Sequence, residues 1–237
     1  MDTALAARVE TLGWRLALVA HEASPAALAS SLSAEDMVIT DAILRAALPI
    51  AVFTLDTGRL HGDTLALIDA VRDRYGYDIE VHRPDPAAVA AYSATVGPDA
   101  FYRSVEQRRR CCAIRKVEPL ERALAGKRAW LTGQRRGQSS TRMRLPLREH
   151  DPVHGIEKFN PLADWAEDDV WRYIRAFSVP YNRLHDQGYR SIGCAPCTRP
   201  VTPDEDVRAG RWWWEAPASR ECGLHVAPDR RPVAAHA

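Results

Sequence analysis

Apolar residues recur along the chain in two rhythms, one helical and one continuous. Ala4 to Leu12 reads as a short amphipathic helix. Ala26 to Leu32 is a short apolar run set among Ser30, Ser31 and Ser33. Val38, Ile39, Ala42, Ile43 and Ala46 keep helical spacing in a segment that starts near Asp36 and breaks at Pro49. Ile50 to Leu55 is apolar almost without interruption, as suits a strand buried on both faces, and gives way to the turn-like Asp56-Thr57-Gly58. Thr64 to Tyr75 predicts a helix stopped by Gly76, while Tyr77 to His82 and Arg128 to Thr132 predict strands. Glu167 to Phe177 predicts a further helix with Val170, Ile174 and Phe177 on one face. Beyond Pro180 the pattern weakens into turns, cysteines and tryptophans.

Strands alternating with helices predict an α/β fold, a mainly parallel sheet flanked by helices, with a partly irregular C-terminal region. Ligands of such folds sit outside the carboxyl ends of the strands. Three loops are expected there: Ser30–Ser33, Asp56–Arg59 and Gly133–Thr141.

Composition narrows the functional classes. The 237 residues suffice for one sizeable domain with a short appendage. A formal net charge of +1 argues against a general polyanion-binding surface. No cationic, apolar leader opens the sequence, and no apolar run approaches the length of a membrane span. The expectation is a cytoplasmic protein, where five cysteines point to metal or catalysis more than to disulfides.

The cysteines form three groups: Cys111-Cys112, Cys194-Ala195-Pro196-Cys197, and Cys222 alone. Two pairs of thiolates can hold an iron–sulfur cluster or zinc. Adjacent cysteines must splay apart, which suits several iron corners better than one tetrahedral ion, but the spacing also admits a redox disulfide between Cys194 and Cys197. Cys222 lies between Arg220 and His225, cations that favour its thiolate. It is a candidate nucleophile or an incidental surface thiol.

Basic residues gather in three places in this otherwise neutral chain. Arg108 to Arg110, Arg115 and Lys116 surround the cysteine pair; Arg135, Arg136, Arg142, Arg144 and Arg148 follow Gly133; Arg208 and Arg211 precede Cys222. Arginine forks match phosphate and sulfate oxygens, so one small anionic ligand gripped from several sides is one reading, and solvated surface charge the other. If the cysteine pair begins a helical turn, Lys116 lies four residues after Cys112 on the same face. Trp212-Trp213-Trp214 offers either a stacking platform for adenine or plain packing.

Taken together, these blocks resemble the assimilatory sulfonucleotide reductases, specifically the thioredoxin-dependent adenylyl-sulfate (APS) reductases of bacteria. The resemblance runs from about Ala27 to His225. It is carried by Ser30-Ser31 with Ala34-Glu35-Asp36-Met37-Val38, by Leu55-Asp56-Thr57-Gly58-Arg59-Leu60, and by Cys111-Cys112 with Arg115-Lys116-Val117-Glu118-Pro119-Leu120. Thr132-Gly133-Gln134-Arg135-Arg136, Lys158-Phe159-Asn160-Pro161-Leu162, Gly188 to Cys197 and Glu221-Cys222-Gly223-Leu224-His225 complete it. The chain departs from the family pattern at Ala29, Ser33 and Arg220, where serine, glycine and lysine are usual.

The resemblance implies an adenine-nucleotide α-hydrolase-like fold related to the pyrophosphate-loop enzymes. It implies one [4Fe-4S] cluster on Cys111, Cys112, Cys194 and Cys197, and Cys222 as nucleophile on a mobile segment. APS would be bound by Ser30, Ser31, Asp56, Lys116, Arg135, Arg142, Arg208, Arg211 and His225. Reduction to sulfite and AMP would pass through a cysteine S-sulfonate, with electrons from thioredoxin or a similar dithiol. The corresponding division is a nucleotide-binding domain over residues 1–180, a cluster and catalytic segment over 181–225, and a mobile tail over 226–237. Neither membrane nor nucleic acid is an expected partner; association into a homo-oligomer stays open. The rival readings are a reductase of the 3′-phosphorylated analogue PAPS, a zinc-containing nucleic-acid-binding protein, and a tRNA-thiolating enzyme.

Overall fold

A computed structural model describes residues 2–216; Cys222 and His225 lie outside the described residues. The sheet has six strands in the order β3-β2-β1-β4-β6-β5: β1 (Ala26–Ser30), β2 (Ile50–Leu55), β3 (Glu80–His82), β4 (Ala129–Leu131), β5 (Arg148–Asp151) and β6 (Ile156–Phe159). Every neighbouring pair is parallel except β5–β6. The sheet is therefore mainly parallel, as the alternation predicts, with an antiparallel edge that the hydrophobic pattern does not reveal. Arg148–Asp151 reads Arg-Glu-His-Asp, and one such polar edge strand carries no apolar alternation.

Alternate residues of the central strands enter two cores on opposite faces. Ala26, Leu28, Ile50, Val52, Ala129 and Leu131 pack into the larger one. Ala27, Phe53 and Trp130 join Leu120, Ala123 and Leu124 of α6 (Glu118–Leu124) in the smaller. This is the two-residue period of a strand covered on both sides.

The larger core is closed by α1 (Thr3–Glu22), α2 (Ala34–Arg45), α3 (Gly62–Tyr75) and α7 (Glu167–Phe177). Helix α7 and strand β2 have the bounds their patterns predict. Helix α1 runs ten residues past the expected Leu12, because Leu16 and Val19 continue the buried stripe and leave Trp14 outside. Helix α2 begins at Ala34, two residues before Asp36, and α3 at Gly62, two before Thr64. Gly76 ends α3 in the left-handed conformation, φ 64°, as a C-cap glycine does. Helix α4 (Pro86–Val96), absent from the predicted elements, runs from an Asp85 N-cap to Gly97. Helix α5 (Val105–Cys112) continues through one π-helical turn, Ala113–Val117, into α6. Past α7 the described chain holds only short 3₁₀ turns and an isolated bridge between Thr198 and Arg211.

One buried carboxylate ties α2, α3 and α7 together. Asp41 accepts hydrogen bonds from Tyr75 Oη at 2.8 Å and Tyr173 Oη at 2.6 Å, and Arg45 approaches it at 3.4 Å. Burial, followed by the neighbouring Asp41 charge, pushes the Tyr75 phenol upward; burial and the bond to Asp41 do so at Tyr173. Hydrogen bonds to a charged acceptor contribute about 1.5–3 kcal/mol each. Tyr173→Phe should therefore lower the free energy of urea unfolding by about that amount, and Asp41→Ala, which strands two buried hydroxyls, by more. Unchanged midpoints in both variants would contradict this assignment.

Candidate functional site

The order of strands reverses between β1 and β4, and the main cleft opens there, at their carboxyl ends. It encloses about 210 Å³. All three anticipated loops supply part of its wall, through Ser30, Ser31 and Ser33, through Thr57, and through Gly133 with Arg135 and Gln138.

The first loop is shaped by a carboxylate. Asp36, in the first turn of α2, accepts from the Ser31 backbone N–H at 2.7 Å and from Ser31 Oγ at 2.6 Å. Ser30 Oγ accepts from the Leu32 N–H, and Leu32 takes a left-handed φ of 59° with its side chain buried. That conformation costs a non-glycine residue roughly 1–2 kcal/mol, offset here by the buried leucine. The β4 loop closes on the same point. A Cβ on Gly133 would lie 2.3 Å from Asp36 Oδ1, so only glycine fits. Burial raises the Asp36 carboxyl to about 6, against the hydrogen bonds from Ser31.

The cleft is rich in cations. Lys116, Arg142, Arg208 and Arg211 all line it, as the basic clusters predict. Arg142 donates to Gln138 at 2.6 Å, and Arg211 to the Ile192 carbonyl at 3.2 Å. Arg211 also lies against Gly193, where a Cβ would meet its guanidinium at 2.3 Å. Arg135 lines the cleft too, but it is buried and donates to Glu35 at 2.8 Å, so the pair brings little net charge. Asp56 is not among the lining residues. Its carboxylate accepts from the Gly58 N–H at 2.9 Å and pairs with Arg83 at 3.0 Å, which makes it a turn-former in this structure.

Cys111, Cys112, Cys194 and Cys197 come together from distant parts of the chain around a second, small cavity. Phe101 and Pro196 form apolar walls, and Arg59, Arg108, Arg115 and Lys116 complete the lining. The β2 loop holds the CxxC turn in place. The Ala195 N–H donates to the Arg59 carbonyl at 2.8 Å, and Thr57 Oγ1 lies 3.2 Å from Cys194 Sγ. Arg115 in turn donates to the Thr57 carbonyl at 2.7 Å. Burial raises the Cys111 thiol, opposed by Arg115. Burial and the neighbouring Cys194 push Cys197 up to about 12. Among the described residues no group of three His, Cys, Asp or Glu side chains is arranged to hold a single metal ion. The four cysteines share the lining of this cavity with apolar groups and cations.

None of the three consecutive tryptophans lines the cleft, and Trp213 is exposed. Trp212 is buried under Arg108 and Arg211, whose guanidinium carbons lie 4.5 and 4.6 Å from its ring centroid. Trp214 meets Tyr102 edge-on, at 4.4 Å between centroids, and lies tilted against Phe101. The adenine-platform expectation is thus not met. Arg108, grouped by sequence with the surface arginines, is buried and makes a two-pronged bond to Glu215, at 2.5 and 2.9 Å. The sequence did not single out His185, which lines the cleft, because its place there depends on long-range packing that spacing does not show.

Because the folded-state value of Asp36 lies above its unfolded value of 3.8, its proton is held more tightly in the folded protein. The associated stability is complete below that unfolded value and is lost as pH rises through about 6. Unfolding free energy should fall by about 3 kcal/mol from this source across that window. Asp36→Asn should flatten the profile in pH-dependent urea melts; an unaltered slope would refute the assignment.

Comparison with known proteins gives a consistent picture. Residues 25–200 match the phosphoadenosine phosphosulfate reductase domain family. The adenosine 5′-phosphosulfate reductase of Burkholderia cepacia is 58% identical over 222 residues, covering 94% of this chain and 89% of the relative. That of Allochromatium vinosum is 58% identical over 210 residues, covering 89% and 82%. Among solved structures, a phosphoadenylyl-sulfate reductase from Candida auris superposes with a TM-score of 0.68 at 26% identity, over 85% of this chain and 98% of that one. Yeast FAD synthetase, at a TM-score of 0.54 and 14% identity over 84% of this chain and 69% of that one, shares the fold alone.

Proposed function

The chain belongs to the phosphoadenosine phosphosulfate reductase family, and on that premise we propose that it reduces adenylyl sulfate to sulfite and AMP. Relatives covering most of its length bear the name of that activity. The same relatives set aside the nucleic-acid-binding and tRNA-thiolating readings. No helix of the described residues is long and apolar enough to cross a membrane, in keeping with a small-molecule substrate met in water.

The observation that carries the site assignment is Lys116, which lines both the cleft and the cysteine cavity. It sits where the two chemistries meet. In the proposed pose the phosphosulfate lies among Lys116, Arg142, Arg208 and Arg211, and the nucleoside extends toward Ser30 and Ser31. The side chain of Asp56 has no part in this pose, and Arg135 acts as half of a neutral pair.

The four cysteines around one apolar, cation-rimmed cavity are a donor set suited to a [4Fe-4S] cluster. Four thiolates make such a centre net negative, and Arg59, Arg108, Arg115 and Lys116 are the counter-charges at hand. When bound, it supplies an electrostatic and structural element beside Lys116.

The reaction then follows from one thiolate. Cys222 attacks the sulfur of APS; a sulfur–sulfur bond forms as the bond to the phosphate oxygen breaks, and AMP departs with that electron pair. The cations offset the charge that builds on the leaving phosphate. A thiolate of an external dithiol, of the thioredoxin kind, attacks the Cys222 sulfur and displaces sulfite. The second thiol of that reductant closes its disulfide and frees Cys222. The two electrons thus come from the dithiol, and the cluster need not change oxidation state.

With labelled APS and no reductant, the wild-type chain should trap one sulfonate on Cys222, and Cys222→Ser should trap none; a stable adduct in that variant would sink the nucleophile assignment. Anaerobic purification should give brown protein with about four irons and four acid-labile sulfides per chain. Active, colourless protein containing zinc would defeat the cluster assignment. Turnover of APS well above that of PAPS separates this reading from the PAPS reductase alternative.

A further inference from the structure

One wall of the cleft carries a polar atom that neither the fold nor the proposed chemistry uses. His185 lines the cleft, and its Nε2 is buried with no hydrogen-bond partner. The imidazole stands edge-on to Trp171 of α7, with centroids 5.1 Å apart and planes at 81°. Its backbone is fixed on both sides. The Asn182 side chain accepts from the Leu184 N–H and donates to Thr64 Oγ1 at 2.8 Å, while the Gly188 and Tyr189 N–H groups close the turn onto the His185 and Leu184 carbonyls. The turn that carries the ring is thus held in place, and a buried polar atom calls for a partner. Burial lowers the imidazole pKa, against the opposing influence of Glu35 first among its neighbours, so the ring is neutral near pH 7.

Lys116, Arg142, Arg208 and Arg211 serve the phosphosulfate in the proposed pose. The carboxylates Glu35, Asp186 and Glu167 act on His185, and Glu35 and Glu167 are each engaged by an arginine, Arg135 and Arg190. With the phosphosulfate taken up by the four cations, the nucleoside is the part of the ligand left for His185. A hydroxyl is the nucleoside group that suits a neutral imidazole in either tautomer, since it both donates and accepts. A phosphate ester at the same place has lost the hydroxyl hydrogen and can no longer donate to the ring.

We propose that His185 Nε2 hydrogen-bonds a ribose hydroxyl of the bound sulfonucleotide. The assignment makes His185 a substrate-binding residue, and it rests on the reading of the cleft as the nucleotide site.

The test uses the full chain and three ligands: AMP, 2′-deoxy-AMP and 3′-deoxy-AMP, with affinities from calorimetry. His185→Phe keeps the ring volume and removes the nitrogen; it should weaken AMP by about 3- to 10-fold, the worth of one hydrogen bond. One of the two deoxynucleotides, having already lost the contact, should bind His185→Phe and wild type alike. His185→Gln, whose amide can reach the same position, should recover part of the AMP affinity, and it carries the test should the phenylalanine variant fail to fold. Equal losses for all three ligands, or no loss for AMP, would overturn the proposal. Wild-type protein that fails to bind AMP or to form the Cys222 sulfonate would instead indict the underlying functional reading.

Discussion

The Asp36 carboxylate, sunk at the start of α2, is where three parts of the site converge. It receives the Ser31 N–H and hydroxyl from the β1 loop, and Gly133 of the β4 loop presses against it with no room for a side-chain carbon. Leu32 is held in its left-handed backbone by the same arrangement, with Ser30 Oγ accepting its N–H. The cleft floor is therefore an interlocked set in which a loop geometry, a glycine and a buried acid each require the others. Such an acid is costly to ionise, and the hydrogen bonds from Ser31 are what lower that cost.

Around this floor the protein sorts its positive charges by partner. Arg135 is matched with Glu35, Arg190 with Glu167 and Arg108 with Glu215. Two of these pairs, Arg135–Glu35 and Arg108–Glu215, keep buried guanidinium groups satisfied, while Arg190–Glu167 is partly exposed. Lys116 stands at the boundary between cleft and cysteine cavity. The π-helical turn that carries it, Ala113–Val117, lies directly between the cysteine pair and α6, so both cavities draw on one short segment. Wide turns of this kind recur at functional positions in other proteins.

What could be read from the sequence depended on how local the cause was. The run Ile50–Leu55 and the stripe of Glu167–Phe177 are each set by their own residues, and both elements keep the expected bounds. Gly76 stops α3 for an equally local reason, its positive φ. The far half of α1 and the β5–β6 edge were hidden because an exposed Trp14 and strand residues such as Glu149 and His150 mask the pattern. Ser30, Ser31, Lys116, Arg142, Arg208 and Arg211, singled out by residue type, line the cleft. Residue type could not reveal that Arg135 is neutralised by a residue a hundred positions away, that Asp56 turns to Gly58 and Arg83, or that Trp212 and Trp214 pack. Those outcomes are long-range pairings, and composition within a loop carries no record of them.

The Arg108–Glu215 fork also sets a geometric horizon. Glu215 lies seven residues before Cys222, and an extended peptide gains at most about 3.3–3.6 Å per residue. Seven residues of covalent chain therefore put the Cys222 Cα no more than roughly 25 Å from that of Glu215. On the proposed mechanism, the nucleotide and the reductant must both present their reacting atoms near that limit or inside it. The buried Arg108–Glu215 pair thus sets an outer bound on where the exchange can take place.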